Sequence, residues 1–304
     1  MGYAWGVQVY IEIVRHELNV ALRTKRMLLV SLVYVAAAIL GAFAYSMALR
    51  EIEKVAVEAM AENGLDPFQA QAALILTSQE AYTRMTEFLS GVAVADLSAA
   101  MQESAAVPVY FWASLTFLPF LVAITSFDVL QNDLQHRTLC FSTLRASRRT
   151  ILLAKFTAHL AILSVVSALA ATAFVAMTVS LVSSVSLGDT VIGMVRVWTL
   201  LIPFGAAYLA LATMASTLTK RAALALAIAV AGALVLRVFF WLGFIPETSQ
   251  WYPLSYLERL SPIRFHEEFW RSGFLSPMLG VLIFAVYTTV FLAVADLRLR
   301  RRDL

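Results

Sequence analysis

The sequence predicts an all-α membrane protein with six transmembrane helices. An N-terminal amphipathic helix at the interface precedes them, and a small helical insertion outside the membrane follows the first. Composition is the first reason. Of 304 residues, 61% are hydrophobic and 14% charged, whereas a soluble domain holds about 45–50% apolar and about 25% charged residues. The second reason is six apolar stretches, approximately 27–49, 107–127, 151–182, 195–217, 222–245 and 275–296. Each reaches the ~20 residues that cross a bilayer core, and a span in lipid satisfies its own backbone hydrogen bonds as a helix. The third reason is charge placement. With the N-terminus taken as cytoplasmic, fifteen Lys and Arg fall inside: Arg15, Arg23, Lys25, Arg26, Arg137, Arg145, Arg148, Arg149, Lys155, Lys220, Arg221, Arg298, Arg300, Arg301 and Arg302. Seven fall outside (Arg50, Lys54, Arg84, Arg196, Arg259, Arg264 and Arg271), and Arg237 lies within a span. The positive-inside bias predicts cytoplasmic termini and a multi-pass protein of the plasma (inner) membrane.

Residues 5–24 place Trp5, Val9, Ile13, Val14, Leu18 and Leu22 at helical spacing, with Glu12, Arg15, Glu17 and Arg23 elsewhere. This pattern suits an interfacial helix and equally an ordinary flanking helix. No uninterrupted apolar run with a cleavage site precedes Met27, so no cleaved signal peptide is expected.

Span one leads into the extracytoplasmic insertion, residues 50–106, which is acidic. Asn63-Gly64 is expected to end a helix continuing from the span. Asp66-Pro67 reads as an N-cap and first turn of a second helix, and Asp96 as the cap of a short third. Phe68, Ala72, Ile75, Tyr82, Met85 and Leu89 form an apolar stripe suited to packing on the spans or to a partner. Pro119 and Pro203 are expected to kink spans two and four.

Between spans two and three, residues 128–150 form a cytoplasmic loop. The segment 128–155 carries five of the chain's 23 Lys and Arg, together with Leu134, Leu139, Phe141 and Leu144. A solvated loop has no need of that apolar set. The two features together predict a loop that docks onto another surface, the plainer alternative being a basic membrane-proximal turn. Lys155 and His159 share a helix face near the inner end of span three, where a solvated, snorkelling role is expected ahead of the alternative, a proton relay.

Residues 246–274, with Trp251-Tyr252-Pro253, Ser261-Pro262, Phe265 and Trp270, form the second outer region. Arg237 lies eight residues before Ile245, roughly 12 Å below the outer end at 1.5 Å per residue. It admits two readings, outward snorkelling or pairing, and a contact to substrate along the pathway.

Enzyme chemistry finds little support. No Gly-Lys step exists for a phosphate-binding P-loop. His266-Glu267-Glu268 lacks the second His of a helical zinc site, so no catalytic or metal residues are assigned. The single Cys140 excludes an internal disulfide. The basic flanks point to anionic lipid rather than nucleic acid.

Asp128, Asp133, Arg137-Thr138-Leu139, Ser147-Arg148 and Lys155 together resemble the cytoplasmic loop of ABC-2 type transporter permeases. Ala146 and Ala154 stand where that family usually has Pro and Gly, and Asp133 where it often has Glu. The resemblance covers the whole chain at the level of topology, as a single permease domain over 1–304. It implies a permease subunit that forms the translocation pathway and pairs with a second copy or close homologue. Two separate ABC ATPase subunits would hold the ATP, so this chain needs no cofactor. Asp133, Leu134, Arg137, Thr138, Leu139, Phe141, Leu144 and Arg145 would be the coupling residues. Export of an amphipathic, lipid-like, glycan or peptide substrate is implied. The alternatives are an ABC-like scaffold, sensor or maturation factor acting through the insertion, and a secondary carrier, for which one Arg and no evident repeat are thin support.

Overall fold

The apolar stretches fold as helices that outrun the bilayer. A computed structural model describes residues 2–62, 106–131, 133, 146–182, 186–269 and 275–301. The helices are α1 (Gly2–Arg23), α2 (Lys25–Glu62), α3 (Ala106–Ser126), α4 (Arg148–Leu181), α5 (Leu187–Leu218), α6 (Ala222–Leu242) and α7 (Leu275–Arg300), with two 3₁₀ segments, Tyr252–Leu260 and Pro262–Phe269, between α6 and α7. No strand occurs among the described residues, and six of the helices are long and apolar enough to cross a membrane. The second and third helices expected within 50–106, and the coupling-loop residues Leu134 to Arg145, lie outside the described residues.

Local chemistry sets the helix limits. Thr24 separates α1 from α2, its hydroxyl donating to the Val20 carbonyl at 2.8 Å. Ser147 caps α4 by accepting from the Thr150 amide at 3.1 Å, and Ser186 caps α5 by accepting from Asp189 at 3.4 Å. Such caps satisfy amides that have no partner in the first turn. Through the Ser186 cap α5 begins at Leu187, eight residues ahead of the apolar stretch that announces it. α2 carries span one unbroken to Glu62, 38 residues in all, or about 57 Å. α3 and α5 continue through Pro119 and Pro203.

α5 is the hub. It packs against α3, α4, α6 and α7, and 72% of its most apolar window is buried, against 17–28% for α2, α4, α6 and α7. Its sequence explains the position. Gly205, Ala206, Ala207, Ala210, Ala212 and Ala215 let neighbouring backbones approach, the usual solution where lipid supplies no hydrophobic drive between helices. A Cβ on Gly205 would sit 2.7 Å from Leu163 of α4. Thr213, Ser216 and Thr217 return their hydroxyls to carbonyls of α5 itself. Phe204 meets Phe284 of α7 edge-on at 5.6 Å, Tyr110 of α3 tilts on Phe174 of α4 at 5.2 Å, and Trp198 donates to the Ser164 carbonyl at 2.9 Å. Outward rows such as Leu28, Leu29, Leu32 and Leu40 of α2 and Leu282, Val286 and Val290 of α7 are 52–70% exposed. That is an aggregation hazard in water and the expected surface in lipid.

Candidate functional site

The ends of α1, α3, α4 and α7 meet around the two flanks of the 128–150 loop. On the first flank the chain leaves α3 through a turn in which the Gln131 amide donates to the Asp128 carbonyl at 3.1 Å. Arg26, in the first turn of α2, donates through Nη2 to Asp128 Oδ1 at 2.6 Å and to the Thr125 carbonyl at 3.3 Å. Its guanidinium lies 4.7 Å from the Phe127 ring centroid. Two residues past Gln131, Asp133 Oδ2 accepts from Lys155 Nζ of α4 at 2.8 Å, and Glu17 Oε1 of α1 accepts from the same ammonium at 2.5 Å.

One lysine therefore clamps α1, the start of the loop at Asp133 and α4 together. The Lys155 side chain is 7% exposed, Glu17 15% and Asp133 28%. This replaces the solvated lysine expected from sequence. The stem does not reach outward, because α1 lies along α4 and covers it. Tyr10 and Thr157 share a 2.6 Å hydrogen bond along the same contact. His159, one turn on, donates from Nδ1 to the Lys155 carbonyl at 3.0 Å. A polar cavity of about 180 Å³ lies among Glu17, Arg26, Asp128, Asp133, Lys155 and His159. The carboxylates of Glu17, Asp128 and Asp133 bring three negative charges there and Arg26 and Lys155 two positive ones. No cluster of metal-ligating residues occurs among the described residues.

The second flank is tied to α7. Arg148 donates to the carbonyls of Leu299 and Arg300 at 2.9 and 3.3 Å. It thus serves α7's unpaired C-terminal acceptors and the negative end of that helix's dipole. Beneath it Ile151 and Leu299 are buried together, with Ile13 of α1 and Ala146 packed against them. The residues that carry the family resemblance thus take distinct places: Asp128, Asp133 and Lys155 in one ion-pair cluster, Ser147 in a cap, Arg148 on the end of α7. Of the sequence-assigned coupling residues, Asp133 joins this cluster, while Leu134, Arg137, Thr138, Leu139, Phe141, Leu144 and Arg145 lie outside the described residues. Glu17 and Arg26 are the partners that sequence reasoning missed. They sit more than a hundred positions from their counterparts, and each lies among other polar residues (Arg15 and His16 beside Glu17, Arg23 and Lys25 before Arg26), so no local signal singled them out.

At the opposite end of the bundle, Arg237 is the only charged residue in the 21 of α6. α6 stops at Leu242, where the Gly243 amide turns back to the Phe240 carbonyl at 3.2 Å, so Arg237 lies about 8 Å from the helix end. That is shallower than the depth counted from Ile245, which belongs to the turn. A Cβ on Gly243 would fall 2.2 Å from the Glu258 carboxylate, and this close approach lets the first 3₁₀ segment pack on α6. Arg237 Nη2 donates to Thr116 Oγ1 of α3 at 3.2 Å, and the guanidinium lies 5.5 and 5.7 Å from the ring centroids of Phe240 and Trp241. Among the described residues it forms no ion pair. A charge near a helix centre costs roughly 2.5–3.5 kcal/mol on insertion scales, and one hydroxyl with two ring faces offsets part of that.

A helical bundle with six candidate spans, one loop flank held by ion pairs and the other by Arg148 on the end of α7, has the form of a multi-pass membrane transport component. The family model described as ABC-2 family transporter protein matches residues 11–304, and the chain belongs to that family. Membership makes it a permease-type membrane subunit of an ABC transporter. A search of curated proteins finds no match.

Proposed function

We propose that this chain forms the translocation pathway of an exporter, pairing with a second copy or a close homologue and working with two ABC ATPase subunits that bind and hydrolyse the ATP. In this reading both termini and the 128–150 loop face the cytoplasm across the plasma membrane. Leu134, Leu139, Phe141 and Leu144 provide apolar anchors on the ATPase, while Arg137 and Arg145, with Thr138, fix the register. Asp133 holds the loop to Lys155.

The observation that supports this most is the fastening of both loop flanks. A loop can drive helices only if force on it is not lost in slack. Here displacement of Asp133 pulls on α1 and α4, and displacement of Arg148 pulls on α7. Arg237, facing α3 from α6, would line the pathway opened when these helices move. The proposed substrates are amphipathic molecules, lipid-like, glycan or peptide.

Transport of fluorescent amphiphiles into inverted vesicles tests the coupling. Phe141→Ala is expected to abolish ATP-driven uptake while leaving the thermal unfolding of the purified protein unchanged. Uptake equal to wild type would remove Phe141 and its neighbours from the coupling role.

A further inference from the structure

A second buried polar group lies on the hub helix against which α6 packs. Tyr208 of α5 is 2% exposed, its hydroxyl has no hydrogen-bond partner, and it stands within electrostatic reach of the guanidinium. Buried hydroxyls are ordinarily satisfied. An arginine offers five N–H donors in a fork that suits phosphate or carboxylate. A single Arg237 nitrogen is engaged with Thr116, whose own proton goes to the Trp112 carbonyl at 3.1 Å. Arg237 thus keeps donors to spare, with no carboxylate partner among the described residues. Around Arg237 the surface is apolar and open: Phe117, Leu234, Val238 and Trp241 are 45–61% exposed.

From these features we infer that Arg237 and Tyr208 hold the oxyanion headgroup of an anionic amphiphile whose apolar body lies along Phe117, Val238 and Trp241, so that the transported substrate class is anionic amphiphiles. This rests on the permease reading above and narrows it. Charge complementarity selects the head, and the surrounding side chains select the tail.

The test uses the permease purified with its ATPase in phosphatidylcholine nanodiscs, and reads quenching of tryptophan fluorescence by 11-bromoundecyl phosphate, phosphocholine and maltoside. The phosphate is expected to half-saturate at a roughly 10-fold lower concentration than the other two, the scale of one charge-assisted hydrogen bond. Arg237→Gln should erase that preference, and Tyr208→Phe, which keeps the ring, should reduce it several-fold. Equal half-saturation by all three probes, or a preference that survives Arg237→Gln, overturns the inference. Displacement of the probe by phosphatidic acid in the disc, with no response to ATP, would mean a resident lipid and overturn the substrate assignment. Disulfide cross-linking between copies through Val238→Cys would mean that a second copy covers this face, and would also overturn it. If the ATPase accompanies the chain and anion preference is absent, this inference fails alone; if no ATPase accompanies it, the permease reading fails first.

Discussion

Replacing Lys155 with Met removes the one cation shared by Glu17 and Asp133 while keeping most of the stem's volume. Breaking a buried ion pair by deleting one partner costs roughly 3–5 kcal/mol, because an uncompensated charge stays behind. Here Glu17 and Asp133, 15% and 28% exposed, lose that ammonium beside a polar cavity of about 180 Å³. Water can reach them, so the low end of the range applies, about 3 kcal/mol. At 1.4 kcal/mol per decade this amounts to roughly a 100-fold shift toward states in which α1 is detached from α4. The loss is local, because the α5 hub has no part in it. The assay is a double-mutant cycle on detergent-solubilised protein, with Lys155→Met, Glu17→Gln and the pair, read by thermal unfolding and by protease access to α1. Since both substitutions strike one network, their effects should fall short of additivity by about 1 kcal/mol or more. Strict additivity, or Lys155→Met as stable and as protease-resistant as wild type, would refute the clamp.

Two further outcomes follow from the geometry. Gly205→Val brings a branched side chain to a site where even a Cβ lies 2.7 Å from Leu163; overpacking should lower stability by about 1–3 kcal/mol, and Leu163→Ala should restore part of it in a melting experiment. Ser147→Ala removes the cap of α4 and should cost about 1 kcal/mol, whereas Ser147→Asp should retain most of the stability.

The architecture was largely legible in the sequence because lipid imposes its rule residue by residue: a run of apolar side chains long enough to span must be a helix. Helix starts were less legible. α5 begins at the Ser186 cap because a single hydroxyl can carry a helix beyond its apolar stretch. The end of α6 at Leu242 turns on the approach of Glu258 to Gly243, a contact between segments that no local pattern announces. The resemblance picked out Asp128, Asp133 and Lys155 but not their purpose. Lys155 reads as a snorkelling lysine until α1 is laid over α4, and Glu17 and Arg26 acquire partners only in three dimensions. Arg237 was conspicuous as the one charge in an apolar run. Tyr208 was not, since a tyrosine in a membrane helix is ordinary until its hydroxyl is found buried without a partner.

The most direct test of the coupling reading is affinity purification of the tagged chain in mild detergent, comparing wild type with a variant changed at both Arg137 and Phe141. The expected result is a P-loop ATPase in stoichiometric amount with the wild type and its loss from the double variant, both proteins melting alike. A clean homo-oligomer without ATPase, or an ATPase that stays bound to the double variant, would contradict it.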